Sequence, residues 1–238
     1  MAAPKRFFVE EIADEVVLSA QESRHVKNVL RLSEGDEVTL FDGSGKEYSA
    51  VVTRADKQGV TVHVVREDAS DREPKTDVFL LIGALKGDKT ELVVQKATEL
   101  GVSRIGVFSS RFCAAYMNEN KLDRLQRVAR EAAKQCLRAS VPQVEYFDNL
   151  EAALMACADY ETKLFACEFL PAGGSSLSDM GASVCAVVGS EGGFSEEEYE
   201  LATSLGFRGI SLGKRILRAE TAAIAVLSVI MYEAGELR

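Results

Sequence analysis

The stretch from Thr221 to Glu233, near the end of the chain, reads as a helix with no polar face. Ala222, Ile224, Ala225, Val226, Leu227, Val229, Ile230 and Met231 point to every side at 3.6 residues per turn. Such a helix has to be buried on several sides, by its own domain alone or together with a second subunit. Whatever precedes it must therefore wrap around it.

What precedes it changes grammar once. Up to about residue 70 the chain reads as β: Val38-Thr-Leu-Phe41, a turn through Asp42-Gly-Ser-Gly-Lys46 and Tyr48-Ser-Ala-Val-Val-Thr53 form a hairpin, with another strand at Gly59-Val-Thr-Val-His-Val-Val65. A small barrel is predicted. Glu22 to Leu30 is the exception, with Val26, Val29 and Leu30 at helical spacing and Arg24, Lys27 and Arg31 turned elsewhere. Residues 67–76 are polar throughout, contain Pro74 and read as the linker.

From Asp77 strands and helices alternate, which predicts a mostly parallel sheet with helices on its faces. Val78–Ile82, Ile105–Phe108, Lys163–Cys167 and Val184–Val188 are the strands. A helix starts near Asp88, whose spacing to Glu91 resembles a capping box, and stops at Gly101. Another runs from Lys121 to Leu137.

The formal charge of -9 argues against a nucleic-acid partner until its distribution is considered. Arg104 to Arg138 holds eight basic and three acidic residues, whereas Glu145 to Glu200 holds twelve acidic ones and only Lys163. Arg127, Arg130, Lys134 and Arg138 form a stripe along the second helix, predicted to contact phosphate. His25, beside Arg24, is a candidate for the same work, while His63 alternates within a strand and reads as structural. Five cysteines at wide spacing with no Cys-x-x-Cys pair predict reduced thiols and no metal. No run of about 20 apolar residues occurs, and the N-terminus lacks the pattern of a signal peptide, so the expectation is a soluble cytoplasmic protein with no membrane partner.

Two segments carry the chemistry. Val187-Val-Gly-Ser-Glu-Gly-Gly-Phe-Ser-Glu-Glu-Glu198 is an apolar strand, three glycines around an acid, then Ser195 to cap an acid-rich helix. Glycines at a strand end let backbone approach a ligand closely; taken alone, the stretch also fits an ordinary tight turn. It is not a dinucleotide cradle, because Gly-x-Gly-x-x-Gly is absent. Ile210 to Ala223 repeats the theme: strand, glycine, basic loop, then the start of the apolar helix, where Arg218, Glu220 and Thr221 could serve as caps and a salt bridge. In open parallel sheets ligands bind at the carboxyl ends of strands, so both loops should face one crevice.

Val188-Gly-Ser-Glu-Gly-Gly-Phe194 with Leu212-Gly-Lys-Arg-Ile-Leu-Arg-Ala-Glu-Thr-Ala222 resembles the paired cofactor loops of the knotted SPOUT methyltransferases, specifically the RsmE family, which methylates N3 of a uridine in small-subunit ribosomal RNA. The resemblance extends to Arg24-His-Val-Lys-Asn-Val-Leu-Arg31, Leu40-Phe-Asp-Gly-Ser44, Gln95-Lys-Ala-Thr-Glu-Leu-Gly-Val102 and Glu131-Ala-Ala-Lys-Gln-Cys-Leu-Arg138, and so to nearly the whole chain. Ser190 and Thr90 depart from it, standing where proline and methionine are common.

The resemblance implies an α/β fold: a PUA-like, RNA-binding β-barrel over residues 1–72 and a SPOUT-type trefoil-knotted methyltransferase domain over residues 73–238. It further implies a homodimer, S-adenosylmethionine as cofactor and 16S rRNA in the small ribosomal subunit as partner. The implied cofactor site is Cys167, Val188, Gly189, Glu191, Gly192, Gly193, Leu212, Gly213, Ile216, Leu217, Arg218, Thr221 and Ala222. RNA contact falls to Arg24, His25, Lys27, Arg31, Arg127, Arg130 and Lys134. Uridine N3 is a poor nucleophile until it loses its proton, so the site needs a base or cations that stabilise the imide anion. Arg138 and Arg218 are the candidate cations; Glu191 or Glu220 is the candidate acid-base or orienting group.

Overall fold

Nine residues from the middle of the chain belong with its N-terminal part. The computed structural model describes residues 5–167, 177 and 180–237. One unit comprises Met1–Glu73 with Ala133–Val141, the other Pro74–Ala132 with Pro142–Arg238. The sequence predicts a single boundary between residues 72 and 73; it does not anticipate the return of 133–141.

The first unit contains β1 (Arg6–Phe8), β2 (Glu15–Val17), α1 (Ala20–Arg24), a π-helical turn (His25–Leu30), β3 (Glu37–Phe41), β4 (Glu47–Ala55) and β5 (Val60–Asp68). The strands form one sheet in the order β1-β3-β4-β5-β2, with β1 parallel to β3 and the other pairs antiparallel. Alternation sends Val38, Leu40, Ala50, Val52 and Val62 into a core completed by Phe7 and Val26. Among the described residues no pairing joins β1 to β2. The three-residue edge strands leave open the barrel that the alternating runs predict.

Helical spacing puts Val26 and Val29 on one face, but the structure separates them: Val26 is fully buried and Val29 is 66% exposed. The π turn is the cause, since its wider winding advances each residue by less than 100° and swings Val29 outward. Arg31 ends the turn in a left-handed conformation, φ 54°.

In the second unit β6 (Asp77–Gly83), β7 (Arg104–Phe108), β8 (Gln143–Phe147), β9 (Thr162–Ala166), β10 (Ser183–Val188) and β11 (Arg208–Ile210) make a sheet ordered β11-β9-β10-β6-β7-β8, parallel throughout. Its helices are α2 (Lys89–Glu99), α3 (Glu119–Cys136, its last turn in the first unit), α4 (Leu150–Met155), α5 (Glu196–Ser204) and α6 (Ala219–Glu233). The chain builds outward from β6 to β8, then crosses over to β9. That reversal opens a crevice at the carboxyl ends of β9, β10 and β11.

α2 starts where expected but without the capping box: the Asp88 side chain makes no cap bond, and Glu91 accepts from Arg124 at 2.9 Å instead. Thr90 ties the segment before the helix to its first turn, its Oγ1 accepting from Leu85 N–H at 3.0 Å. α6 packs against α2, β10 and β6 through Ala223, Val226, Leu227, Ile230 and Met231. Its own unit covers only one side: Val229 is 41% and Tyr232 53% exposed. No helix among the described residues is long and apolar enough to cross a membrane, and no cluster of metal-ligating side chains occurs there.

Candidate functional site

β10 ends at Val188 and runs straight into Gly189-Ser-Glu-Gly-Gly193. Close packing dictates the glycines. A Cβ on Gly83, at the end of neighbouring β6, would lie 2.5 Å from the Ser190 backbone nitrogen; one on Gly189 would meet the Phe194 ring at 3.1 Å. Gly193 has φ +66° and donates its N–H to Ser190 O at 3.0 Å, closing a tight turn. Phe194 then anchors the loop, its ring 4.1 Å from that of Phe165. Ser195 caps α5 in a full capping box: its Oγ accepts from Glu198 N–H at 3.2 Å and Glu198 accepts from Ser195 N–H at 2.9 Å.

The second loop, from Ser211 to Arg218, leads from β11 into α6. It is open where the first is packed. Gly213 has φ +106° with nothing within 4 Å of a notional Cβ, and Ile216 is 89% exposed. Lys214, Arg215 and Arg218 are exposed, and none forms an ion pair among the described residues. The Arg218 side chain makes no cap bond on α6, so neither the cap nor the salt bridge to Glu220 is formed.

Between the loops lies a cavity of about 420 Å³. Cys167, Val188, Gly189, Glu191, Gly193, Leu212, Gly213, Ile216, Leu217, Arg218 and Ala222 line it. Two residues of the expected set do not. Gly192 turns toward Phe112, whose Cβ would stand 2.5 Å from a Cβ at Gly192, and Thr221 is exposed in the first turn of α6.

The wall also includes Lys89, Ala166, Ser190, Ser211, Lys214 and Arg215, which sequence reasoning missed. Lys89 was within reach of it: the run Lys86-Gly-Asp-Lys89 follows a parallel strand and so brings cations to the crevice.

Lys89 Nζ lies 3.1 Å from Glu191 Oε1 and 4.0 Å from Glu220 Oε2. Burial opposes ionisation of Glu191. Hydrogen bonds from Lys86 N–H, from its own backbone and from Lys89 outweigh burial and hold the carboxyl below the usual carboxylate range. It is therefore ionised at neutral pH and unsuited to proton donation. Glu220 Oε2 and the Ser190 hydroxyl are buried and make no hydrogen bond among the described residues.

These walls fit S-adenosylmethionine. The volume falls within the range of about 300–1,000 Å³ usual for small-molecule sites. Val188, Leu212, Leu217 and Ala222 offer apolar surface to a flat adenine, whose edge the loop backbone can read. Glu191 suits ribose hydroxyls or an ammonium, and the basic loop suits a carboxylate.

The candidates for RNA contact divide sharply. Arg24, Arg31 and Arg127 are exposed. Lys27 donates to Asp56 O at 2.7 Å, and His25 is half-buried, edge-on to Phe7 at 6.1 Å. Arg130 is half-buried. The far end of the stripe requires correction: Lys134 is 8% exposed with its Nζ 2.6 Å from both Glu22 oxygens, and Arg138 is 5% exposed with Nε and a terminal nitrogen on Glu73 Oε2 at 3.1 and 2.9 Å. Both cations are engaged by carboxylates inside the first unit, and neither faces solvent as a surface stripe would. Helical periodicity aligns the stripe, but it cannot register carboxylates that arrive from 112 and 65 residues away.

Residues 72–231 match the model of an RNA methyltransferase domain, and residues 18–65 that of an RNA methyltransferase PUA domain. The chain is 31% identical to the ribosomal RNA small subunit methyltransferase E of Bacillus subtilis over 98% of both chains. It is 30% identical to that of Mesomycoplasma hyopneumoniae over 94% of this chain and 97% of the relative. Among solved structures it is similar to the ribosomal RNA small subunit methyltransferase E of Neisseria gonorrhoeae bound to S-adenosyl methionine, with a TM-score of 0.83 and 30% identity over 95% of this chain and 96% of that one.

Proposed function

The chain belongs to the RNA methyltransferase family, and on that premise we propose that it methylates N3 of a uridine in the 16S rRNA of the small ribosomal subunit, using S-adenosylmethionine. The observation that carries this reading is the single cavity walled by both glycine loops, with an ionised Glu191 on one side and Arg218 on the other.

S-adenosylmethionine, held by these walls, would supply a methyl carbon on a sulfonium, with the neutral thioether as the leaving group when N3 bonds to that carbon. The chain's contribution is to position the base and to manage one proton. Arg218, exposed at the mouth of the cavity, stabilises the imide anion that forms when N3 is deprotonated. Glu191, held ionised by Lys89 and Lys86 N–H, is the orienting group; Glu220, which does not line the cavity and whose buried Oε2 lies 4.0 Å from Lys89, serves as proton acceptor once its side chain turns toward the substrate. Glu220→Gln preserves shape and removes the acceptor, so single-turnover transfer is expected to fall about 100-fold or more with cofactor affinity retained. A variant with wild-type rates removes Glu220 from the mechanism.

Homodimerisation through the exposed apolar side of α6, threading of α6 through a knot and a cytoplasmic location belong to the same proposal. Val229 and Tyr232 support the first.

N3 lies on the pairing edge, so its methylation stops reverse transcription, whereas a ribose methyl leaves that edge free. Primer extension on 16S rRNA from a strain lacking the gene should lose one strong stop at a uridine, and the full chain with cofactor should restore it. An unchanged pattern of stops refutes the proposal.

A further inference from the structure

The loop between β7 and α3, residues 109–118, holds two aromatic rings in solvent: Phe112 is 47% and Tyr116 74% exposed. The loop itself is not slack. Arg111 N–H donates to Glu198 at 3.0 Å, and its guanidinium pairs with Glu197 at 3.1 Å, tying one end to the first turn of α5. Cys113 Sγ donates to Ala84 O at 3.0 Å, tying the middle to the segment that follows β6. Lys121 Nζ donates to Tyr116 O at 2.6 Å and secures the other end. Rings on an anchored loop are presented, not merely left uncovered.

The position of Phe112 gives the loop a purpose. Phe112 backs Gly192 so closely that no side chain fits between them. It therefore stands against the outer side of the loop whose Glu191 and Gly193 line the cavity. The Arg111 guanidinium lies 5.7 Å from the Phe112 ring centroid, and Lys121 adds a second cation to the loop. Anchored aromatic rings beside cations are the surface on which proteins hold unpaired bases. A uridine that reacts at N3 must have its pairing edge free, so the RNA that reaches this cavity is unpaired there and has lost part of its own stacking.

We propose that Phe112 and Tyr116 form a stacking platform for unpaired bases of the RNA substrate, next to the pocket in which the methyl group is transferred. The platform rests on the RNA methyltransferase reading. It adds a recognition surface outside the glycine loops, supplied by a segment whose sequence shows no motif.

The test uses the full chain and follows three readouts in parallel: KM for small-subunit particles in transfer from labelled S-adenosylmethionine, cofactor Kd by calorimetry, and oligomeric state by sedimentation. Phe112→Ala and Tyr116→Ala should each raise the KM for RNA about tenfold or more, with cofactor Kd and oligomeric state unchanged. Phe112→Tyr and Tyr116→Phe, which keep the rings, should stay within about twofold of wild type on the same stacking argument. Tyr116 is exposed enough for its alanine variant to fold, so the result does not depend on Phe112. Unchanged KM in the alanine variants of an active protein overturns the platform alone. A shift confined to cofactor Kd or to oligomeric state also overturns it, by assigning the rings to the cofactor or to a second copy. A wild type that transfers no methyl group to RNA overturns the function and the platform together.

Discussion

The two loops that wall the cavity both depend on glycine, but for different reasons. In the loop after β10 close packing dominates: Phe194 stands against Gly189 and Phe112 against Gly192, while Ser190 presses on Gly83 at the end of β6; Gly193, at φ +66°, is set by its backbone angle as well. In the loop after β11, Gly213 has no neighbour to avoid, and its backbone angle alone excludes other residues. One wall is built by packing and exists before any ligand arrives. The other is held by backbone conformation, with Ile216 almost wholly in solvent, and is free to adjust to what enters.

Substitutions can break that contrast. Gly83→Ala should have the largest effect, because its Cβ meets backbone and not a movable side chain: about 3 kcal/mol of stability and a Tm roughly 6–12 °C lower, with cofactor affinity lost alongside. Gly213→Ala should cost about 1–2 kcal/mol in backbone strain and weaken cofactor binding in calorimetry more than it lowers Tm. Equal melting losses in the two variants would erase the distinction between the loops.

Lys89→Met tests the link between packed wall and charge. Glu191 titrates below its ordinary value, so its interactions stabilise the fold above the ordinary carboxylate range and lose that effect as pH falls through the lowered value. The variant should be less stable than wild type by at most about 1 kcal/mol at neutral pH, and the two melting curves should converge in acid. A gap independent of pH would show that Lys89 acts through its stem and not its charge. Ile216→Ser should change stability least, by under about 0.5 kcal/mol, while reducing cofactor affinity several-fold. A large fall in Tm would mean that the open loop is packed after all.

Much of the second unit was legible in the sequence. Its apolar strands, buried on both faces, and the glycines at their ends carry their own signals, and these place both loops on one crevice. Interactions that join distant segments left no local trace. The pairing of Lys134 with Glu22 and of Arg138 with Glu73 turns a surface stripe into buried ion pairs. The π turn at His25 is similarly hidden, because one extra residue in a helical winding does not alter composition. At Asp88 the capping-box spacing is present, but Arg124 competes for Glu91 and wins. Lys89 joins the cavity only because α2 starts beside it.

The return of Ala133–Val141 to the first unit has a consequence for the order in which the protein can be made. Arg6 needs Ala133 O, Glu22 needs Lys134, and Glu73 needs Arg138 with the N–H groups of Ala139 and Ser140. All three wait for a segment translated roughly 60 residues after the rest of that unit. At ordinary elongation rates the delay is on the order of 3–12 s, during which Glu22 and Arg6 lack these partners. The N-terminal unit is thus begun first and finished late, and a fragment cut after residue 73 should be the less stable for it.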